Sequence, residues 1–381
     1  MAKALYIHIP FCNEICNYCD FPKVFSLGQN IDEYVLALLS ELSLYEKTIG
    51  FARIETVYIG GGTPTVLSVE QLDRLFTHLH DSIDFSRLKE VSIEANPDSL
   101  NDPEKISCLK RHGVTRVSLG VQTFSEKHLK FLQRSHSTQD VLEVIQLLDD
   151  QGFEINLDLI YAIPNQTLEE WEEDLNRLLS LPITHVSAYS LILEENTKLY
   201  LDCRRNQIEL VDNDVEAEMF EMVINRLTDA GFDHYEISNF TKGNRSFHNE
   251  IYWKNDPYIG VGLGAHGYLG NTKAHRIRYE NTRSITAYKK HLEKKELPVA
   301  DAYDLPESEQ LEEAMFLGLR MMEGVDVHSL SFKYGVNVFK LYQKKIEKLR
   351  KLGYVRYESG KLKLTKKGLM MGNDVFEEFL V

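Results

Sequence analysis

Along the first half of the chain, short β-type runs alternate with longer amphipathic ones. The short runs occupy 5–10, 55–59, 90–95, 116–121, 154–161 and 185–193. Between them, 32–47, 69–80, 138–151 and 167–180 carry apolar residues at the three- and four-residue spacing of a helix face. Strand, helix, strand repeated in this order predicts right-handed crossovers and a parallel sheet. Six units are too few for a closed eight-stranded barrel, so the pattern predicts an α/β fold built on a partial, TIM-like (β/α)6 barrel.

From about residue 300 the pattern changes. Residues 306–323, 326–334 and 336–352 read as helices, 354–358 and 361–365 as a hairpin turning at Ser359-Gly360, and a last helix follows. This predicts a smaller C-terminal helical, winged-helix-like domain over 301–381, after a barrel with its extension over 1–300. Between Lys333 and Lys367, twelve Lys/Arg stand against Glu347 and Glu358, a local net charge of +10 that leaves −25 for the rest of the chain. A solvated helix face accounts for such a run, and docking to an acidic partner or an anionic lipid surface is the functional alternative.

Polar or glycine-rich residues follow one strand after another. The first leads to a cysteine loop, the second to Gly60-Gly-Gly-Thr-Pro-Thr65, the third to Glu94-Ala-Asn-Pro97, the fourth to Gly120-Val-Gln-Thr123, and the fifth carries Asp158. Any one of these reads as an ordinary cap or turn. Their recurrence at the same strand end loads one rim of the sheet with chemistry, where barrel folds build active sites.

Composition narrows the classes. Hydrophobic residues make up 43% of the 381 and charged ones 27%, an ordinary soluble balance, and the net charge of −15 argues against a general nucleic-acid binder. No apolar run approaches a membrane span and no signal-peptide cleavage pattern opens the chain. Of five cysteines, Cys108 and Cys203 are isolated, so no disulfide framework is visible and a reducing cytoplasm is expected. The other three lie in Cys12-Asn-Glu-Ile-Cys16-Asn-Tyr-Cys19, a C-x3-C-x2-C loop. Three soft thiolates so close together can hold three corners of an iron–sulfur cubane and leave the fourth iron open. A Cys3His zinc site, with His8 as the nearest fourth ligand, is the alternative.

The cysteine loop beside Gly60-Gly-Gly-Thr-Pro64 resembles the radical S-adenosylmethionine superfamily, which implies a 4Fe–4S cluster whose open iron is chelated by the methionine moiety. In that family, electron transfer from the cluster cleaves the sulfonium to a 5′-deoxyadenosyl radical. Tyr6-Ile-His-Ile-Pro-Phe-Cys12, Ser118-Leu-Gly-Val-Gln122 and Asp158-Leu-Ile-Tyr161 are similar to blocks of its oxygen-independent coproporphyrinogen III oxidase branch. The resemblance implies that Cys12, Cys16 and Cys19 hold the cluster and that Tyr6, Gly61 and Glu94 contact the cluster-bound nucleotide. Gly62, Thr63, Gln122, Arg134 and Asp158 match positions for a second S-adenosylmethionine, and His266 aligns near an adenosine. Phe21 stands where the oxidases carry a further cysteine, and only five residues precede Tyr6. Both features instead resemble the sister group, the haem chaperones of HemW type. Phe247-His248-Asn249-Glu250-Ile251-Tyr252-Trp253 is similar to that group's H-N-x-x-Y-W haem-binding signature, and Tyr235-Glu-Ile-Ser-Asn-Phe240 upstream adds to the likeness.

The resemblance implies a haem chaperone in which His248, Asn249, Tyr252 and Trp253 bind haem. An imidazole suits axial iron ligation, and aromatic faces suit a porphyrin. Arg245 and Lys254 flank the block and offer cations to propionates. Core packing and a loop hydrogen bond account for the same residues without haem. The implied partners are haem acceptor proteins and no nucleic acid. Respiratory membrane-associated acceptors, peripheral membrane contact and a homodimer are left open. No residue is assigned a catalytic role. Decarboxylation of coproporphyrinogen III to protoporphyrinogen IX is the alternative function, and a zinc-stabilised nucleic-acid-binding protein a remoter third.

Overall fold

In the computed structural model, which describes residues 2–272 and 275–380, the six short runs are parallel strands in sequence order. They are β1 (Ala4–Ile9), β2 (Thr56–Gly61), β3 (Glu90–Ala95), β4 (Arg116–Gln122), β5 (Glu154–Tyr161) and β6 (His185–Ser190), each paired with the next. Crossover helices α1 (Ile31–Thr48), α2 (Val69–Ser82), α3 (Pro103–Arg111), α4 (Thr138–Asp150) and α5 (Leu168–Leu179) join them. Reciprocal capping pairs start three of these helices where the sequence places them: Ser68 with Gln71, Ser137 with Asp140, and Thr167 with Glu170.

The sheet does not stop at six strands. Helix α6 (Asn213–Asp229) precedes β7 (Asp233–Glu236) and β8 (Asn239–Thr241); after helix α7 (Phe247–Trp253) come β9 (Tyr258–Val261), β10 (His266–Thr272) and β11 (His275–Asn281). Helix α8 (Ile285–Glu293) and β12 (Val299–Asp304) follow. The twelve strands run in the order β12-β11-β10-β9-β1-β2-β3-β4-β5-β6-β8-β7, with β9 parallel to β1 and the outer strands antiparallel. Beyond β7, Met321 makes a single bridge to Glu236.

Glu41 of α1 locks the start of this extension. Its buried carboxylate accepts hydrogen bonds from the Gly262 amide at 2.9 Å, Asn281 Nδ2 at 2.7 Å and the Tyr288 hydroxyl. Gly262 has a φ of +102°, and a Cβ there would lie 2.4 Å from the His8 carbonyl oxygen, so only glycine fits. Burial raises the Glu41 carboxyl to about 7 against three hydrogen bonds that pull the other way.

A second apolar core, from Leu311 to Phe379, belongs to the C-terminal module. Helices α9 (Glu307–Leu319), α10 (Val327–Tyr334) and α11 (Gln343–Leu352) pack on a three-stranded wing of β13 (Val325–Asp326), β14 (Val355–Glu358) and β15 (Lys361–Leu364). The helix expected over 336–352 breaks at Tyr342 into two. Several lysines of the basic stretch are paired, Lys348 with Glu378 and Lys366 with Glu221 on α6. Among the described residues, no helix is long and apolar enough to cross a membrane.

Candidate functional site

The C-terminal ends of the parallel strands open into one cavity of about 400 Å3. Cys12, Cys16, Cys19, Gly61, Gly62, Thr63, Glu94, Gln122, Arg134, Asp158 and Asn249 line it. Sequence-expected residues from four strands, from the loop after β1 and from α7 thus meet around one space. Tyr6, His248, Tyr252, Trp253 and His266 are not among its lining residues.

Backbone pairing fixes the thiol loop against the glycine turn. Beyond the β1–β2 ladder, the Gly62 amide donates to the Ile9 carbonyl and the Thr63 amide to the Phe11 carbonyl, each at 2.8 Å. The loop then folds back, with the Val24 amide on the Pro10 carbonyl and the Ser26 amide on the Cys12 carbonyl. This brings Thr63 Oγ1 to 3.8 Å from Cys12 Sγ. A Cβ on Gly62 would sit 2.8 Å from the Phe11 oxygen and 2.9 Å from Cys12 Sγ; one on Gly60 would sit 2.9 Å from the Glu94 carboxyl. The glycines let two loops approach this closely.

The donor set fits a cluster held at three corners. Cys12, Cys16 and Cys19 are free thiols, and Phe21, more than half exposed, offers no sulfur beside them. Burial raises the Cys12 thiol to about 11, with the Thr63 hydrogen bond pulling it down and the neighbouring Cys19 and Cys16 charges pushing it further up. Asp73, Cys108 and His112 are the ligand-type group among the described residues whose donor atoms gather within 4.8 Å. The loop thiols do not gather so tightly, whereas thiolates sharing one zinc ion at ~2.3 Å would. His8, the other candidate zinc ligand, has Nε2 on the Pro22 carbonyl at 2.7 Å and Nδ1 on the Tyr6 hydroxyl at 3.0 Å. The outer group is a seam between α2 and α3: His112 Nε2 is 2.9 Å from Asp73 Oδ1, with Arg111 3.7 Å from the same oxygen.

Opposite the thiols, the cavity is shaped for a polar ligand of mixed charge. Glu94 accepts from the Tyr58 hydroxyl at 2.8 Å and the Gly61 amide at 2.9 Å, and burial raises its carboxyl to about 7. Arg134 donates to Asn96 Oδ1 and the Gly120 carbonyl, both at 2.7 Å, and reaches Cys16 Sγ at 3.5 Å. Its Nε is buried without a partner among the described residues. The β4 pairing slips at Gly120–Gln122, and Gln122 takes a φ of +67°. Asp158 accepts from Ser118 Oγ at 2.9 Å and from Asn156 Nδ2 at 2.7 Å; burial raises its carboxyl while Ser187, Ser118 and Asn156 oppose the rise.

Sequence reading passed over the inward residues beneath that carboxylate. Ser118, Asn156, His185 and Ser187 line the cavity and are linked by hydrogen bonds. The signal was available, because polar residues alternate at Asn156 and Asp158 and at His185 and Ser187 in strands expected to be apolar on both faces.

Helix α7 carries the H-N-x-x-Y-W block. Ser246 caps it, and Glu90 accepts from the Phe247 amide at 2.7 Å. Asn249 and Ser246 reach the cavity, but His248 is almost fully buried. Its Nδ1 lies 2.8 Å from Thr56 Oγ1 and its Nε2 2.8 Å from the Tyr252 hydroxyl, and burial lowers its imidazole to about 3. Tyr252 packs edge-on to Tyr258. Trp253 lies under the Arg320 guanidinium at 4.4 Å, with Nε1 buried and unpartnered. Arg245 is taken up by Asp233 and Glu250, and Lys254 by Glu250. His266 is mostly exposed, 3.8 Å from Glu280.

Residues 6–178 match the radical SAM superfamily and residues 305–371 the HemN C-terminal domain. The chain is 41% identical to the heme chaperone HemW of Lactococcus lactis over 100% of its own length and 97% of that protein. It is 41% identical to the heme chaperone HemW of Bacillus subtilis, covering 99% of each. Among solved structures, coproporphyrinogen III oxidase (HemN) from Escherichia coli superposes with a TM-score of 0.84 at 20% identity, over 99% of this chain and 90% of that one. That likeness speaks for the fold.

Proposed function

Because this chain belongs to the HemW family of the radical SAM superfamily, we propose that it is a haem chaperone, which binds haem and passes it to acceptor haemoproteins. The observation that carries this reading is helix α7, whose Ser246 cap and Asn249 line the same cavity that the three thiols wall, with His248 buried beside them. Phe21 in the place of a further cysteine supports it.

Cys12, Cys16 and Cys19 would hold a 4Fe–4S cluster, and Gly61, Gly62, Thr63, Glu94, Gln122, Arg134 and Asp158 would hold S-adenosylmethionine, one molecule or two. When bound, these groups supply one-electron reduction at a sulfonium. The chain's own part is to bind and orient. Glu94 and Asp158 present carboxylates to a cationic ligand, while the Arg134 guanidinium offers a cation to its carboxylate. A reducing cytoplasm suits the free thiols.

Haem would be held at α7, with His248 offering its imidazole to the iron. Ligation requires His248 Nε2 to leave the Tyr252 hydroxyl, so the helix must open to load. Anaerobic reconstitution followed by haem titration tests the reading. Wild type is expected to take one haem per chain. His248→Ala should weaken binding by more than about tenfold, whereas Tyr252→Phe, which keeps the ring and frees Nε2, should bind at least as tightly; the lost hydrogen bond is worth about 1 kcal/mol. Undiminished haem affinity in His248→Ala would remove this site. Protoporphyrinogen formation by the same loaded sample would replace the chaperone reading with the oxidase one.

A further inference from the structure

A directional chain of hydrogen bonds runs from the cavity to the start of α7, buried at every link except the one to Asp158, where it meets the cavity. Asp158 is the acceptor at the cavity end. Asn156 Nδ2 donates to Asp158 Oδ1 at 2.7 Å, which turns the Asn156 carbonyl oxygen away, toward His185. His185 Nδ1 lies 2.6 Å from that oxygen and must donate to it. The imidazole is neutral, since burial and then the nearby Arg116 charge lower it well below the usual range. Nε2 is therefore an acceptor, and it receives the Tyr235 hydroxyl proton at 2.9 Å. The Tyr235 oxygen in turn accepts the backbone N–H of Ser246 at 3.1 Å. Ser246 is the N-cap of α7. Asn156, His185, Tyr235 and Ser246 are each no more than 4% exposed, so bulk water offers the links little competition.

We propose that His185 and Tyr235 are positioning residues that couple the ligand state of Asp158 to the haem-binding helix. The proposal rests on the reading of α7 as the haem site. All donors in the chain point toward one carboxylate. A ligand that bonds to Asp158 weakens the pull on Asn156, and the loss passes through His185 and Tyr235 to the amide that fixes the cap of α7. Since α7 must open to free His248, the cap is where such a change acts. The linkage is reciprocal, so haem on α7 alters affinity at Asp158 by the same factor.

The test is a haem titration of the reconstituted full-length chain with and without S-adenosylmethionine. In wild type, saturating S-adenosylmethionine is expected to shift the haem Kd by about fivefold or more. Tyr235→Phe keeps the ring but removes the proton that bridges to His185, and should bring the two Kd values within about twofold of each other. His185→Asn is the second break, should the first variant misfold. Ring 15N shifts of His185 in the wild-type chain read the wiring without any haem, and an Nδ1–H tautomer is expected. An Nε2–H tautomer, or linkage that survives both substitutions, overturns the relay. Haem binding in wild type with no response to S-adenosylmethionine overturns the relay alone, whereas no haem binding at all overturns the haem site with it.

Discussion

At the scale of single residues, buried carboxylates hold pH-sensitive contacts. In Glu41 the carboxyl rises from 4.5 to about 7 on folding, as it does in Glu94. The unfolded chain loses this proton first, so between those two values the native state binds more protons. Stability from Glu41 is therefore full below pH 4.5 and falls as pH rises, levelling off above about 7. At 1.36 kcal/mol per unit the change is roughly 3 kcal/mol. In paired urea unfolding at a series of pH values, wild type should lose stability relative to Glu41→Gln across this window and keep a constant offset above it. A difference that does not vary with pH would show that Glu41 is solvated as in the unfolded chain. None of this was legible in the sequence, where Glu41 is one acid on an amphipathic helix. Cys12, Cys16 and Cys19 were legible, because their spacing alone makes one loop. His248 was legible as a member of a block, but its double hydrogen bonding was not, since Thr56 lies 192 positions away.

At the scale of elements, the glycine turn after β2 is a tight joint beside the thiol loop. Gly62→Ala would drive a methyl group toward backbone atoms of Pro10 and Phe11 at 2.8 Å, which cannot swing aside as a long side chain can. A cost of about 1–3 kcal/mol is expected, as for other overpacked sites. The displaced loop would also spread the thiols, so iron and sulfide recovered after reconstitution should fall together with the melting temperature. An alanine variant with unchanged iron content would show that the turn does not set the thiol loop. The six parallel strands and four of their helices were readable from periodicity, helped by capping pairs such as Thr167 with Glu170. Strands β7 to β12 were not. They are short or half exposed, β12 being almost wholly so, and apart from the β9–β1 ladder their pairing is antiparallel, without the apolar continuity that marks a central strand. Asn156 and His185 escaped for a related reason: polar groups inside a sheet are explained only by partners that sequence does not place.

At the scale of the whole molecule, the C-terminal module and the barrel meet along β7. The Ile237 amide donates to the Arg320 carbonyl at 3.1 Å and the Met322 amide to the Tyr235 carbonyl at 3.0 Å, while Lys366 pairs with Glu221. The strand that carries Tyr235 is therefore held from both sides. The opposite margin of the sheet, β12, protects itself with Asp301 and Asp304 and faces solvent. A polypeptide ended after residue 304 would keep Cys12, Cys16 and Cys19 yet leave the β7 margin bare, an adhesive border whose one exposed acid, Asp233, is already paired with Arg245. Light scattering should find that shortened protein self-associating at concentrations where the intact one stays dispersed. Equal dispersal of the two would mean that the module shields nothing.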